Sequence, residues 1–189
     1  MAGVAKGHRI VMLGPPGSGK GTQAEVLAAR LGVPAISTGE MLRQAVAAGS
    51  ELGRQVESIL NAGALVDDAT MAAVVRDRLA ASDAVHGFLL DGYPRNPEQA
   101  ATLSGLLAEL GIQLDAVLLL DVPEEELVKR ALGRGRADDR DDVIRERLRV
   151  YREQTRPLIE HYRQQGLLHA IDGHRAIDTV TADLLAALQ

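Results

Sequence analysis

Along this chain, short runs that are apolar at nearly every position alternate with longer stretches whose apolar residues recur three to four positions apart. The short runs are Arg9–Leu13, Pro34–Ser37, Gly87–Leu90, Ala116–Asp121 and Leu168–Ile171. An unbroken apolar run of this length predicts a strand covered on both faces, as in a parallel sheet. The periodic stretches predict helices over Gly19–Leu31, Gly39–Ala47, Glu51–Asn61, Asp68–Ala81, Pro97–Leu110, Glu124–Leu132, Asp141–Gln164 and Thr179–Leu188. In the penultimate helix Ile144, Leu148, Tyr151, Leu158 and Tyr162 keep near-helical spacing, while Pro157 should bend or break it. Strand–helix alternation predicts an α/β fold, a five-stranded parallel sheet with helices on both faces. Two segments interrupt the alternation: the pair of small helices in Gly39–Asn61 and the loop Gly133–Asp142. Ligands of open parallel sheets bind beyond the carboxyl ends of the strands, so both insertions are candidate lids over that edge.

Composition narrows the function classes. A chain of 189 residues, 46% hydrophobic and 25% charged, can build one ordinary globular core. Its formal charge of −5 argues against a nucleic-acid binder, and so does its poverty in aromatic side chains, which are Phe88, Tyr93, Tyr151 and Tyr162 only. With no cysteine, disulfides, thiolate nucleophiles and cysteine-ligated zinc are excluded. The five histidines are scattered without ligand spacing and read as surface or packing residues. The start, Met1–Arg9, is too short and polar for a signal peptide, and no apolar run approaches the ~20 residues that span a bilayer. The expectation is a soluble, cytoplasmic protein.

The strongest local pattern is Gly14-Pro-Pro-Gly17-Ser18-Gly19-Lys20-Gly21-Thr22, placed between a predicted strand and a predicted helix. Glycines there let backbone amides turn inward around a polyphosphate, and a helix N-terminus favours negative charge. Lys20 would reach the β- and γ-phosphates as a mobile point charge. The common form of this loop ends Gly-Lys-Ser/Thr, whereas here Gly21 follows the lysine and the hydroxyl comes at Thr22. The usual direct Mg²⁺ ligand is therefore missing, and the metal should be held by phosphates and water, which Mg²⁺ tolerates. A glycine-rich turn with no ligand is the bland alternative, disfavoured by the strand–helix context.

Further along, Ser37-Thr38-Gly39-Glu40-Met41-Leu42-Arg43 follows the second strand, and Asp91-Gly92-Tyr93-Pro94-Arg95, with Gln99, follows the third. With these motifs in this order, the sequence resembles the adenylate kinase family, in its short-lid bacterial form, from about Arg9 to the C-terminus. The resemblance implies a P-loop NTPase-type fold in one domain, 1–189. Its core would be 1–37, 67–132 and 143–189, its monophosphate-binding insertion 38–66 and its lid 133–142. It implies that Gly17, Ser18, Gly19, Lys20, Gly21 and Thr22 bind ATP, joined by Arg134 from the lid and by Arg175 near the adenine. For AMP it implies Thr38 and Arg43, the stretch Ala64, Leu65 and Val66, the turn Gly92, Tyr93, Pro94 and Arg95, and Gln99 on the base. A glutamine amide both donates and accepts, as the adenine N6/N1 edge requires, although Gln99 alone would equally suit a solvated helix face.

Asp91, ending a strand beside the phosphate loop, would orient waters on Mg²⁺; its other reading is a helix N-cap. Arg136 and Arg147 match the pair that grips the transferred phosphoryl and the AMP phosphate, a task suited to a planar, permanently charged fork. By itself Gly133–Asp142 would pass for a solvated charged loop. The catalytic set is thus Lys20, Asp91, Arg95, Arg136 and Arg147, acting by positioning and charge stabilisation, with Mg²⁺ and without zinc. The partners implied are ATP, AMP and ADP, with no nucleic acid, no membrane and a monomeric state. Two alternatives stay open. One is a kinase for UMP or CMP, disfavoured by Thr38 with Gln99; the other is a non-catalytic nucleotide sensor, disfavoured by the arginines beyond the phosphate loop.

Overall fold

The computed structural model describes residues 8–189; Lys6 and most of the Met1–Arg9 stretch lie outside them. Five strands form one parallel sheet: β1 (Arg9–Leu13), β2 (Ala35–Ser37), β3 (Phe88–Asp91), β4 (Ala116–Asp121) and β5 (Leu168–Asp172), in the order β2-β3-β1-β4-β5. The unbroken apolar runs are explained by burial on both sides. Ile10 and Met12 of β1, Leu89 of β3, and Leu118 and Leu120 of β4 pack on one face against α1 (Lys20–Leu31) and α9 (Ile177–Ala186). Val11 and Leu13, Phe88 and Leu90, and Val117 and Leu119 face the other way. There they meet α4 (Asp68–Leu79), α5 (Pro97–Glu109) and α8 (Pro157–Gln164). Because successive side chains of a strand alternate, the central strands β1, β3 and β4 need apolar residues at nearly every position, whereas the edge strands β2 and β5 are only partly covered.

The connection from β1 runs to β2 on one side of the sheet and that from β4 to β5 on the other, so the order reverses between the adjacent strands β1 and β4. That opens a crevice at the carboxyl ends of the strands. Over it stand α2 (Thr38–Ala47) with α3 (Glu51–Asn61), and the loop between α6 (Glu124–Gly133) and α7 (Asp141–Val150). Val122, Leu127, Ala131, Ile144 and Leu148 make a small separate core that roots this loop.

The long helix expected over Asp141–Gln164 is instead α7, a π turn over Tyr151–Thr155, and α8. Pro157 has no N–H to continue the ladder. The helix widens just before it, with the Arg156 N–H donating to Tyr151 O at 2.8 Å, five residues back. The last helix starts at Ile177 rather than Thr179. The Thr181 hydroxyl reaches back to Ile177 O (2.9 Å) and across to Gln23 Oε1 (2.8 Å), tying α9 to α1. Among the described residues no helix is long and apolar enough to cross a membrane.

Candidate functional site

The crevice is a cleft of about 1040 Å³. Its floor is the turn from β1 into α1. Gly17 has φ +84, and a Cβ there would stand 2.6 Å from Leu127 O, so only glycine lets the turn pass this close to α6. No side chain caps α1, and Gly19 serves as its N-cap, which leaves the first backbone N–H groups of the helix facing the cleft. Ser18 Oγ is buried without a partner. Lys20 folds back over the loop, its Nζ donating to Gly14 O (2.8 Å) and Pro15 O (3.1 Å).

Burial pushes the Lys20 ammonium down from its ordinary 10.5 to about 8; Asp91 pulls it up, and Arg95, Arg134 and Arg136 push it further down. Two results are expected. A polyphosphate restores the charge, so above pH 8 its binding takes up a proton and affinity should fall by about tenfold per pH unit. Titration calorimetry across pH 6.5–9.5 in buffers of different ionisation enthalpy reads both quantities, and a flat profile would show that Lys20 does not titrate there. The sign for stability is opposite to that of a paired lysine. Between pH 8 and 10.5 the unfolded chain binds the extra proton, so the cost of burying the charge is full below pH 8 and relieved as pH rises.

The far side of the cleft is built from β3 and the insertion. Gly92 has φ +92, and a Cβ there would meet Thr38 Oγ1 at 2.6 Å and Arg95 Nη2 at 3.1 Å. Its absence lets Arg95 fold across the turn, where Nε donates to Gly92 O at 2.8 Å. The Thr155 hydroxyl of the π turn donates to Arg95 O (2.6 Å), and the Thr38 hydroxyl to Asp91 O (3.4 Å). Arg43, one turn into α2, rests on Glu40 (3.1 Å). Gln99 is 2% exposed, so it is no solvated helix residue; its Oε1 accepts from the Arg95 N–H (2.8 Å) and its Nε2 donates to Asp68 Oδ1 (3.0 Å). Asp91 caps no helix, since α5 is capped by Asn96.

In the loop after α6, Arg134 pairs with Asp139 (2.6 Å), and Arg147 pairs with Asp138 and with Asp139 (3.7 Å). Asp139 is 1% exposed at its side chain, so this is an organised turn rather than a solvated charge run. The Arg136 N–H also donates to Asp139 Oδ2 (3.0 Å).

Every residue named from the sequence for the two nucleotides lines the cleft except Tyr93. Tyr93 is 1% exposed and packs into the core with Leu103, Leu158 and Tyr162, which leaves only its backbone near the site. Arg175 lines the edge but is itself held by Asp172 (3.4 Å) and Asp183. Sequence reasoning passed over Asp68, Asp138, Asp139 and Thr155. Acidic residues two and three positions after Arg136 were the available signal for Asp138 and Asp139; nothing local marked the other two.

The electrostatics have one dominant feature. Burial lowers the guanidinium of Arg95 from its ordinary range, with Arg147 and Arg43 adding repulsion against the pull of Asp91. Burial lowers Arg136 too, with Arg134 and Arg43 repelling it against the pull of Asp139 and Asp138. Among the described residues neither these two nor Lys20 has a carboxylate within 4 Å. Uncompensated buried cations are costly unless an anion joins them, so the cleft fits a multiply charged anion. For a metal the fit is narrower. Asp91 Oδ2 lies 3.9 Å from where a Gly21 Cβ would stand, facing the loop, and no three potential ligands cluster among the described residues. One carboxylate beside a phosphate loop suits a cation that keeps its waters and takes phosphate oxygens, as Mg²⁺ does.

The sequence model of the family described as Adenylate kinase matches residues 12–167. The chain is 52% identical over 181 residues to "Adenylate kinase" of Synechococcus sp. (strain RCC307), covering 96% of this chain and 98% of that protein. It is 50% identical over 185 residues to "Adenylate kinase" of Stenotrophomonas maltophilia (strain R551-3), covering 96% and 99%. To "Adenylate kinase" of Thermobifida fusca (strain YX) it is 50% identical over 185 residues, covering 96% and 98%.

Proposed function

The chain belongs to the adenylate kinase family, and on that basis we propose that it moves a phosphoryl group reversibly between ATP and AMP, giving two ADP. The observation that carries the reading is that Lys20, Arg95 and Arg136 converge on one cleft, and among the described residues none of the three has a carboxylate within 4 Å. Such an arrangement favours anions of high charge, as two phosphate chains meeting there would be.

In this reading the amides of Gly17, Ser18, Gly19 and Gly21 hold the ATP phosphates, with Lys20 and Thr22. Arg134 lies along the triphosphate, and Arg175 stands at the adenine with its backbone nearer than its side chain, since Asp172 and Asp183 hold its guanidinium. Thr38, Arg43 and Arg95 take the AMP phosphate; Ala64, Leu65 and Val66, with Gly92 and Pro94, shape the pocket; and Gln99 reads the base. Asp91 would hold Mg²⁺ through water, and the ion when bound would supply charge neutralisation on the phosphates. No zinc is needed.

The chemistry asks little of the protein beyond placement. The AMP oxygen is already ionised at neutral pH, so no strong general base is needed. Arg136 and Arg147 gain strength as charge spreads over the transferred oxygens, which is where stabilisation accelerates the step. Closure of residues 38–66 over AMP and 133–142 over ATP excludes water, the competing nucleophile. One chain carries both sites, so the enzyme works as a monomer, in the cytoplasm where its nucleotides are. A coupled assay of ATP with AMP, CMP, UMP and GMP should give rapid turnover with AMP only. Preference for a pyrimidine monophosphate, or no transfer to any, would overturn the assignment.

A further inference from the structure

We propose that Asp68 is a positioning residue that fixes which purine edge Gln99 can read, and thereby discriminates AMP from 6-oxopurine monophosphates. The inference rests on the reading of Gln99 as the base-reading side chain. A glutamine amide has two N–H donors and two acceptor lone pairs. In this fold one of each is already committed: Oε1 accepts from the Arg95 N–H at 2.8 Å, and Nε2 donates to Asp68 Oδ1 at 3.0 Å. A backbone N–H only donates and a carboxylate only accepts. Turning the amide by 180° would set N–H against N–H at Arg95 and oxygen against oxygen at Asp68. Both partners therefore oppose the flip.

Asp68 is itself held in place. The same Oδ1 takes the Asn96 Nδ2–H at 2.9 Å, and Asn96 Oδ1 caps α5 by accepting the Gln99 N–H at 2.8 Å. Asp68 also sits in the first turn of α4, where the helix dipole favours a carboxylate. Gln99 lines the cleft, so one donor and one acceptor, in fixed order, remain for a base. A 6-aminopurine presents a donor at N6 beside an acceptor at N1. A 6-oxopurine presents the reverse, an acceptor at O6 beside a donor at N1. A free amide could flip to suit either; an amide locked by Asp68 matches only the first. Specificity of this kind comes from repelling the wrong partner as much as from pairing the right one.

The test measures kcat/KM for AMP and for inosine 5′-monophosphate at saturating ATP, in the full-length enzyme. Asp68→Ala and Asp68→Ser should each lower the AMP-to-IMP ratio by about tenfold, the worth of one ordered hydrogen bond. The change should fall on the KM values for the two monophosphates, leaving the KM for ATP alone. Two such variants guard against one that folds poorly, and loss of fold would lower both rates without moving the ratio. Asp68→Asn keeps an oxygen for the two converging N–H groups and should retain the ratio. A loss there as large as in Asp68→Ala would mean that charge, not the lock, is at work, and would overturn the proposal. An unchanged ratio in Asp68→Ala, beside a lowered one in Gln99→Ala, would overturn the role of Asp68 and leave Gln99 as the reader. An unchanged ratio in both would remove the reading of Gln99 as well.

Discussion

Replacing Arg147 with alanine should lower kcat by on the order of 10²–10³-fold, the effect of losing one donor aimed at developing charge. The KM for AMP should move far less, because in the proposed arrangement Arg43 and Arg95 would still hold the monophosphate. Arg147 stands on α7 with its side chain 15% exposed, against Asp138, which is 10% exposed, and Asp139, which is 1% exposed. Truncation therefore also leaves carboxylates short of a partner. Asp139 keeps Arg134, but Asp138 loses its listener of opposite charge, so a stability cost of about 1–3 kcal/mol should accompany the kinetic one. Thermal melting separates the two effects. Arg147→Lys keeps the charge without the planar fork, and it should recover most of the melting temperature while leaving kcat well below that of the parent. Full kcat in Arg147→Ala would remove the residue from the catalytic set.

A dinucleoside pentaphosphate carrying two adenosines should bind about 10²–10⁴-fold tighter than ATP or AMP alone. One molecule would then make both sets of contacts, and the second set would cost no further loss of translational freedom. Arg95, Arg134 and Arg136 repel Lys20, and Arg43 repels both Arg95 and Arg136, so each phosphate added to the cleft also relieves repulsion. Calorimetry at fixed pH and Mg²⁺ decides the matter. Affinity no better than that of ATP would mean that the two phosphate sites do not face one another, and would sink the in-line arrangement. Adding Arg136→Ala should weaken the pentaphosphate more than it weakens AMP alone, if Arg136 stands where the two chains meet, as proposed above.

Some of this was settled by sequence alone. Short runs apolar at nearly every position suit strands between two layers, and the five runs, alternating with helical periods, give an α/β order. The phosphate loop was equally legible, because Gly14 to Thr22 is contiguous and its backbone conformation is encoded where it is used. The arginines beyond it were found through resemblance to a family, not through anything local.

Tertiary structure alone decided how those residues are held. Gln99 reaches Asp68 across 31 positions, and Thr155 reaches Arg95 across 60. Neither pair leaves a periodic trace, because each depends on how α4, α5 and the π turn pack against the same strand ends. Tyr93 carries the same lesson in reverse. Its place in a motif put it in the site, yet the turn after Gly92 sends its ring into the core beside Tyr162. Local spacing states which residues share an element and a face. Where a side chain points at the junction of several elements is set by what fills the space around it, and that is known only once the chain has packed.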